Sequence, residues 1–101
     1  MIIRVVRMSF REEALEEFLT LFHTSSPQIR GFAGCLHLEL WTDIDAPNVR
    51  TTYSHWDSQE SLERYRQSEL FVETWRSAKR LFSGPAVATS YRALPGSDPR
   101  P

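Results

Sequence analysis

Cys35-Leu-His-Leu-Glu-Leu-Trp-Thr42, then Asp43-Ile-Asp-Ala-Pro-Asn48, then Val49-Arg-Thr-Thr-Tyr-Ser-His-Trp56 read together as a β-hairpin. In the first arm Leu36, Leu38 and Leu40 alternate with Cys35, His37, Glu39 and Trp41, the two-residue period of a strand with unlike faces. Asp, Pro and Asn in the middle segment are turn formers. The second arm is rich in β-branched and aromatic residues, with Arg50, Thr52, Ser54 and Trp56 on one face and Tyr53 and His55 on the other. A six-residue loop leaves open which face of one arm matches which face of the other.

Working upstream, Gly31-Phe-Ala-Gly34 reverses the chain, since glycine accepts the backbone conformations a reversal needs. Before it, Ala14, Leu15, Phe18, Leu19 and Phe22 follow the three-and-four spacing of a helix beginning near Arg11. Four glutamates, Glu12, Glu13, Glu16 and Glu17, suit its positive end. Ser25-Ser26-Pro27 is expected to interrupt or restart that helix. Ile2 to Ser9, β-branched and broken by arginines, reads as a strand packed on both faces. Downstream, Asp57 or Ser58 caps a helix running from Gln59 to about Phe82, with a break at Gln67-Ser68. Ser83-Gly84-Pro85 ends it, and Ala86 to Arg92 is the last strand. The order strand, helix, strand, strand, helix, strand predicts an α+β domain over residues 1–94. Its four-stranded antiparallel sheet carries both helices on one face and leaves the other to be buried against a second copy of the chain. Residues 95–101, with Pro95, Pro99 and Pro101, are expected to form a mobile tail.

The chain has 101 residues, enough for one domain, and its 41% hydrophobic and 12% aromatic content is that of a soluble globule. Twelve basic residues against thirteen acidic ones, with no basic stripe, argue against a nucleic-acid partner. The single cysteine, Cys35, excludes an internal disulfide, reads as an inert thiol and suits a reducing cytoplasm. Met1-Ile-Ile-Arg4 leads directly into a strand pattern rather than a secretion signal. No apolar run approaches the roughly 20 residues that span a bilayer. No metal-ligand spacing is present, so no metal is expected.

Gly31-Phe-Ala-Gly-Cys-Leu36, the alternating strand, Asp45-Ala-Pro-Asn48, the strand closing on Trp56, Ser58-Gln-Glu-Ser-Leu62 and Ser68-Glu-Leu-Phe71 together resemble the antibiotic biosynthesis monooxygenase domain family. The resemblance implies a ferredoxin-like βαββαβ domain that pairs sheet to sheet as a dimeric α/β barrel. It also implies oxygenase chemistry without metal, flavin or other prosthetic group, in which an electron-rich phenol is deprotonated in a dry pocket and passes an electron to dioxygen. Trp56 stands at the family's strand-end tryptophan, whereas Tyr65 and Leu70 occupy positions where many members carry histidines. In the haem-degrading branch an axial histidine falls where this chain has Trp75, and an asparagine where it has Val6. An indole nitrogen has no lone pair to give iron, so haem degradation is disfavoured.

Candidate site residues follow from these readings. Trp56, Trp75 and Phe71 would hold a small planar aromatic substrate by stacking, or else simply fill the core. Arg50, Thr52 and Ser54 share the face of Trp56, and a polar row there would suit a pocket, unless it faces solvent or a partner copy. Tyr65 would orient a phenolate, and His55 or His37 would act as base. The expected function is a cofactor-independent monooxygenase acting on a quinol or polycyclic phenol. The alternative is a non-catalytic dimeric ligand-binding or stress-related module with the same cavity.

Overall fold

Strand β1 (Ile2–Ser9) runs through the middle of the sheet, antiparallel to β3 (Val49–Trp56) on one side and β4 (Val87–Tyr91) on the other. β2 (Cys35–Thr42) pairs with the outer edge of β3, giving the order β2-β3-β1-β4. The computed structural model describes residues 1–96; residues 97–101, most of the expected tail, lie outside the described residues. Between β1 and β2 come a 3-10 turn, Glu12–Ala14, and α1 (Leu15–Arg30); between β3 and β4 come α2 (Gln59–Arg66) and α3 (Glu69–Lys79). This is the ferredoxin-like α+β arrangement, with three helices where the second helical region divides.

The division follows from capping. The Ser58 hydroxyl accepts the Ser61 amide at the start of α2, and the Ser68 hydroxyl accepts the Phe71 amide at the start of α3. Each serine satisfies an amide that has no partner within its helix. Elsewhere the helices depart from the sequence expectation. α1 continues unbroken through Pro27, because Phe18, Phe22, Ser25, Ser26 and Ile29 form one buried face that would be lost if it stopped. Ser25 Oγ also donates to Leu21 O at 2.8 Å, so its hydroxyl is satisfied within the helix. α3 ends at Lys79, short of Phe82, which instead bridges to Phe10 while Ser83 N donates to Ser9 O at 2.8 Å.

The hairpin register settles the question its loop leaves open. Leu38 faces Ser54 and Leu40 faces Thr52, while His37 faces His55 and Glu39 faces Tyr53. Leu38, Ser54 and Trp56 are buried under the helices together with Ile2 and Met8 of β1. A bulge between Cys35 and His37 breaks the alternation at the strand's start. Leu36 therefore does not join Leu38 and Leu40 but is 59% exposed, and Cys35 moves to the Trp56 side. Gly34 feeds this bulge with φ +93°. The core lies between sheet and helices in two clusters, a larger one around Phe10, Phe18 and Leu81 and a smaller one of Ile2, Trp56 and Leu62. Cys35 and Tyr65 pack against both.

A candidate aromatic-ligand cavity

Between the two clusters the sheet and helices do not close completely, leaving a cavity of about 310 Å³. Its floor is the inward row of β1 and β3, including Arg4, Val6, Thr52, Ser54 and Trp56. α1 covers it with Phe18, Phe22 and Ile29, while α2 and α3 contribute Leu62, Tyr65, Phe71 and Trp75. The space falls at the small end of ligand pockets, roughly 300–1,000 Å³.

One wall is a continuous run of rings. Trp56 stacks on Tyr65 with centroids 4.7 Å apart and planes 25° apart. The Tyr65 ring meets Phe71 edge-on at 5.2 Å, and Phe71 stacks on Trp75 at 5.8 Å and 10°. The Trp56 indole N–H donates to Ser54 Oγ at 3.1 Å, so the fully buried ring keeps its polar atom satisfied. Burial pushes the Tyr65 phenol well above its ordinary value, and nearby Cys35 adds to the effect. Tyr65 therefore stays protonated at neutral pH, able to donate a hydrogen bond but not to serve as a base. Cys35 is likewise held as a thiol, its pKa raised chiefly by burial.

Six of the sequence-derived site residues, Trp56, Tyr65, Phe71, Trp75, Ser54 and Thr52, line this one space. Three do not reach it. Arg50 lies on the same strand face, but its Nε donates to Pro47 O at 3.1 Å, which holds it against the hairpin loop. His37 and His55 are turned by strand alternation to the opposite face of the sheet. There His55 Nε2 is 2.6 Å from the Tyr53 hydroxyl, and His37 hydrogen-bonds Glu39. Trp41 stacks on Tyr53 at 4.5 Å and donates its indole N–H to Glu39 at 2.7 Å. That N–H, followed by His37, holds the Glu39 carboxyl below the usual carboxylate range.

The walls carry two charged groups that the sequence reading passed over. Arg4, one of the arginines that break the apolar run of β1, and Arg66, at the end of α2, both border the cavity. Parity was the available signal for Arg4, since it shares the inward row with Ile2, Val6 and Met8. No His, Asp, Glu, Lys or Cys among the described residues lines the cavity. Among the described residues no group of three or more His, Cys, Asp or Glu is placed to hold a metal ion. No helix among them is long and apolar enough to cross a membrane.

The molecule is thus a ferredoxin-like α+β domain with an aromatic-walled cavity between sheet and helices. The chain belongs to the antibiotic biosynthesis monooxygenase family, whose model matches residues 1–77. A conserved protein from Methanosarcina mazei Go1 superposes with TM-score 0.87 at 21% identity, covering 93% of this chain and 94% of that one. An antibiotic biosynthesis monooxygenase of known structure gives TM-score 0.87 at 18% identity, with 94% and 100% covered. A Mycobacterium tuberculosis protein gives 0.86 at 18%, with 96% and 98% covered. At these identities the likeness is one of fold. Among curated proteins none matches this chain.

Proposed function

We propose that this protein is a cofactor-independent monooxygenase that binds a planar quinol or polycyclic phenol in the cavity and oxidises it with dioxygen. The observation that carries this reading is the unbroken Trp56–Tyr65–Phe71–Trp75 wall facing a floor of hydroxyl groups. Flat rings stack there, and the protonated Tyr65 hydroxyl donates to the phenolate oxygen. For a quinol the electron count closes without a further reductant. The quinol supplies four electrons: a ring C–H becomes C–OH and the two hydroxyls become carbonyls. Dioxygen's O–O bond breaks, one oxygen staying on the ring and the other leaving as water, so the product is a hydroxyquinone. Tyr65, Trp56, Trp75 and Phe71 are assigned binding and orienting roles, with Ser54 and Thr52 completing the floor. Because no imidazole or carboxylate among the described residues lines the walls, the substrate proton leaves toward solvent before the ring is enclosed.

The open sheet face supports a homodimer built through it. Trp41, Val87 and Tyr91 are 41%, 58% and 55% exposed there, large apolar surfaces that a second copy would cover. The free thiol of Cys35 suits a cytoplasmic setting. A second reading, a non-catalytic ligand-binding dimer, is favoured by the same lack of a base in the walls. Dioxygen uptake with a chemically reduced naphthoquinol separates the two. The oxygenase reading expects uptake above the buffer rate that falls at least fivefold in Tyr65→Phe, with the fold retained by circular dichroism. Tight binding of the quinol with no uptake would establish the second reading instead.

A further inference from the structure

The ring-lined cavity is apolar along most of its wall but electropositive at one end. Arg4, on the central strand, presents its guanidinium to the helix-covered face. Its recorded side-chain partner is a neutral one, Ser90 Oγ at 2.9 Å. Among the described residues no carboxylate lies within ion-pair distance of it, and their ion pairs join other groups. Arg66, at the C-terminal end of α2, lies close enough to act on Arg4 as a like charge, with Glu63 opposing it. Glu63 is already engaged, by Arg66 at 3.3 Å and by the Gln67 side chain at 3.1 Å. One carboxylate against two guanidiniums leaves a net positive charge beside the cavity.

A half-buried cation without a counter-ion is costly, and Arg4 accordingly has its pKa lowered, first by desolvation and then by Arg66. A bound anion would remove that cost, and a guanidinium's planar fork matches a carboxylate's two oxygens. We propose that the ligand of this cavity is an aromatic carboxylate, its rings against the Trp56–Trp75 wall and its carboxylate on Arg4 with support from Arg66. The inference rests on the cavity being an aromatic-ligand site and narrows the substrate class within that reading.

The test compares two ligands of one shape, 2-naphthoate and 2-naphthamide, by isothermal titration calorimetry on the full chain. The naphthoate should bind about tenfold tighter or more, or about 1.4 kcal/mol. Its affinity alone should weaken as salt rises from about 0.05 M to about 0.5 M. Arg4→Gln should reduce the preference to threefold or less, weakening the naphthoate more than the naphthamide. Arg66→Gln, at an exposed helical position, should reduce it partially and serves if the first variant fails to fold. Equal affinity for the two ligands in the unaltered protein, or a preference that survives both substitutions, overturns the carboxylate assignment while leaving the aromatic cavity intact. Binding of neither ligand overturns the aromatic-site reading and this inference with it.

Discussion

Replacing Gly34 by alanine tests how the hairpin is anchored to the helix that roofs the cavity. Gly34 has φ +93°, a region that costs an L-residue roughly 1–2 kcal/mol. A methyl group there would lie 2.3 Å from Ser61 Cβ, 2.4 Å from Ser61 Oγ and 2.9 Å from Asp57 Oδ1. Real carbon contacts do not approach so closely, and Ser61, 2% exposed, has no free space to retreat into. The first turn of α2 must therefore shift. That strains the Ser58 cap, which accepts the Ser61 amide at 3.1 Å, at a cost of about 0.5–2 kcal/mol. It also strains the 2.9 Å bond from Asp57 N to Gly34 O. The sum is about 1.5–4 kcal/mol. At about 4 °C per kcal/mol, the low end for a domain of this size, Tm falls by roughly 6–16 °C.

The assay is urea denaturation at fixed protein concentration, followed by circular dichroism, on G34A, S61G and the double variant. S61G removes the two nearest clashing atoms but carries its own cost as a glycine in a helix. The double variant keeps the backbone strain and the 2.9 Å approach to Asp57 but loses the closer overlap with Ser61. It should therefore be more stable than the sum of the single losses by about 1–2 kcal/mol, the size of coupling expected between contacting residues. A loss below about 1 kcal/mol for G34A, or strict additivity in the cycle, would refute the reasoning that close approach fixes glycine at this position.

Trp56→Ala should cost about 3–5 kcal/mol in the same assay, because a side chain 1% exposed that stacks on Tyr65 is deleted from beside an existing cavity. A loss under about 1 kcal/mol would show that this ring does not support the wall. On the opposite sheet face, the Glu39 carboxyl is held below its ordinary value of 4.5 by Trp41 and His37. A depressed carboxylate contributes stability above the unfolded-state value and loses it as pH falls through the folded one. Stability should therefore decline below about pH 4.5, and Glu39→Gln should make that decline shallower. The lowered carboxyls of Asp43 and Asp57 remain in both proteins, so they do not account for the difference. Identical slopes in urea melts between about pH 6 and about pH 3.5 would remove Glu39 from the acid response.

What could be read from the residues alone was whatever a single period decides. Two-residue alternation put Thr52, Ser54 and Trp56 on one strand face, and these meet the candidate rings Tyr65, Phe71 and Trp75 around the cavity. Relations between elements were not readable in this way. Nothing local fixed whether His37 and His55 would share the cavity or face away, because a one-residue slip across a loose loop reverses every side chain. The observed phase comes from partners distant in sequence, where Ser54 lies between Leu38 on one side and Arg4 on the other, under the helices. The bulge at Leu36 has a similarly non-local origin, since it depends on Gly34 tucking against Ser61 and Asp57 of the next helical region. Arg4 was missed for the opposite reason. Its parity with Ile2 and Met8 was visible, but an arginine in a strand ordinarily marks the solvent side. A cation on the inward row of a half-buried strand, beside rings and without a carboxylate partner, departs from local consistency in the way expected where a protein holds something other than itself.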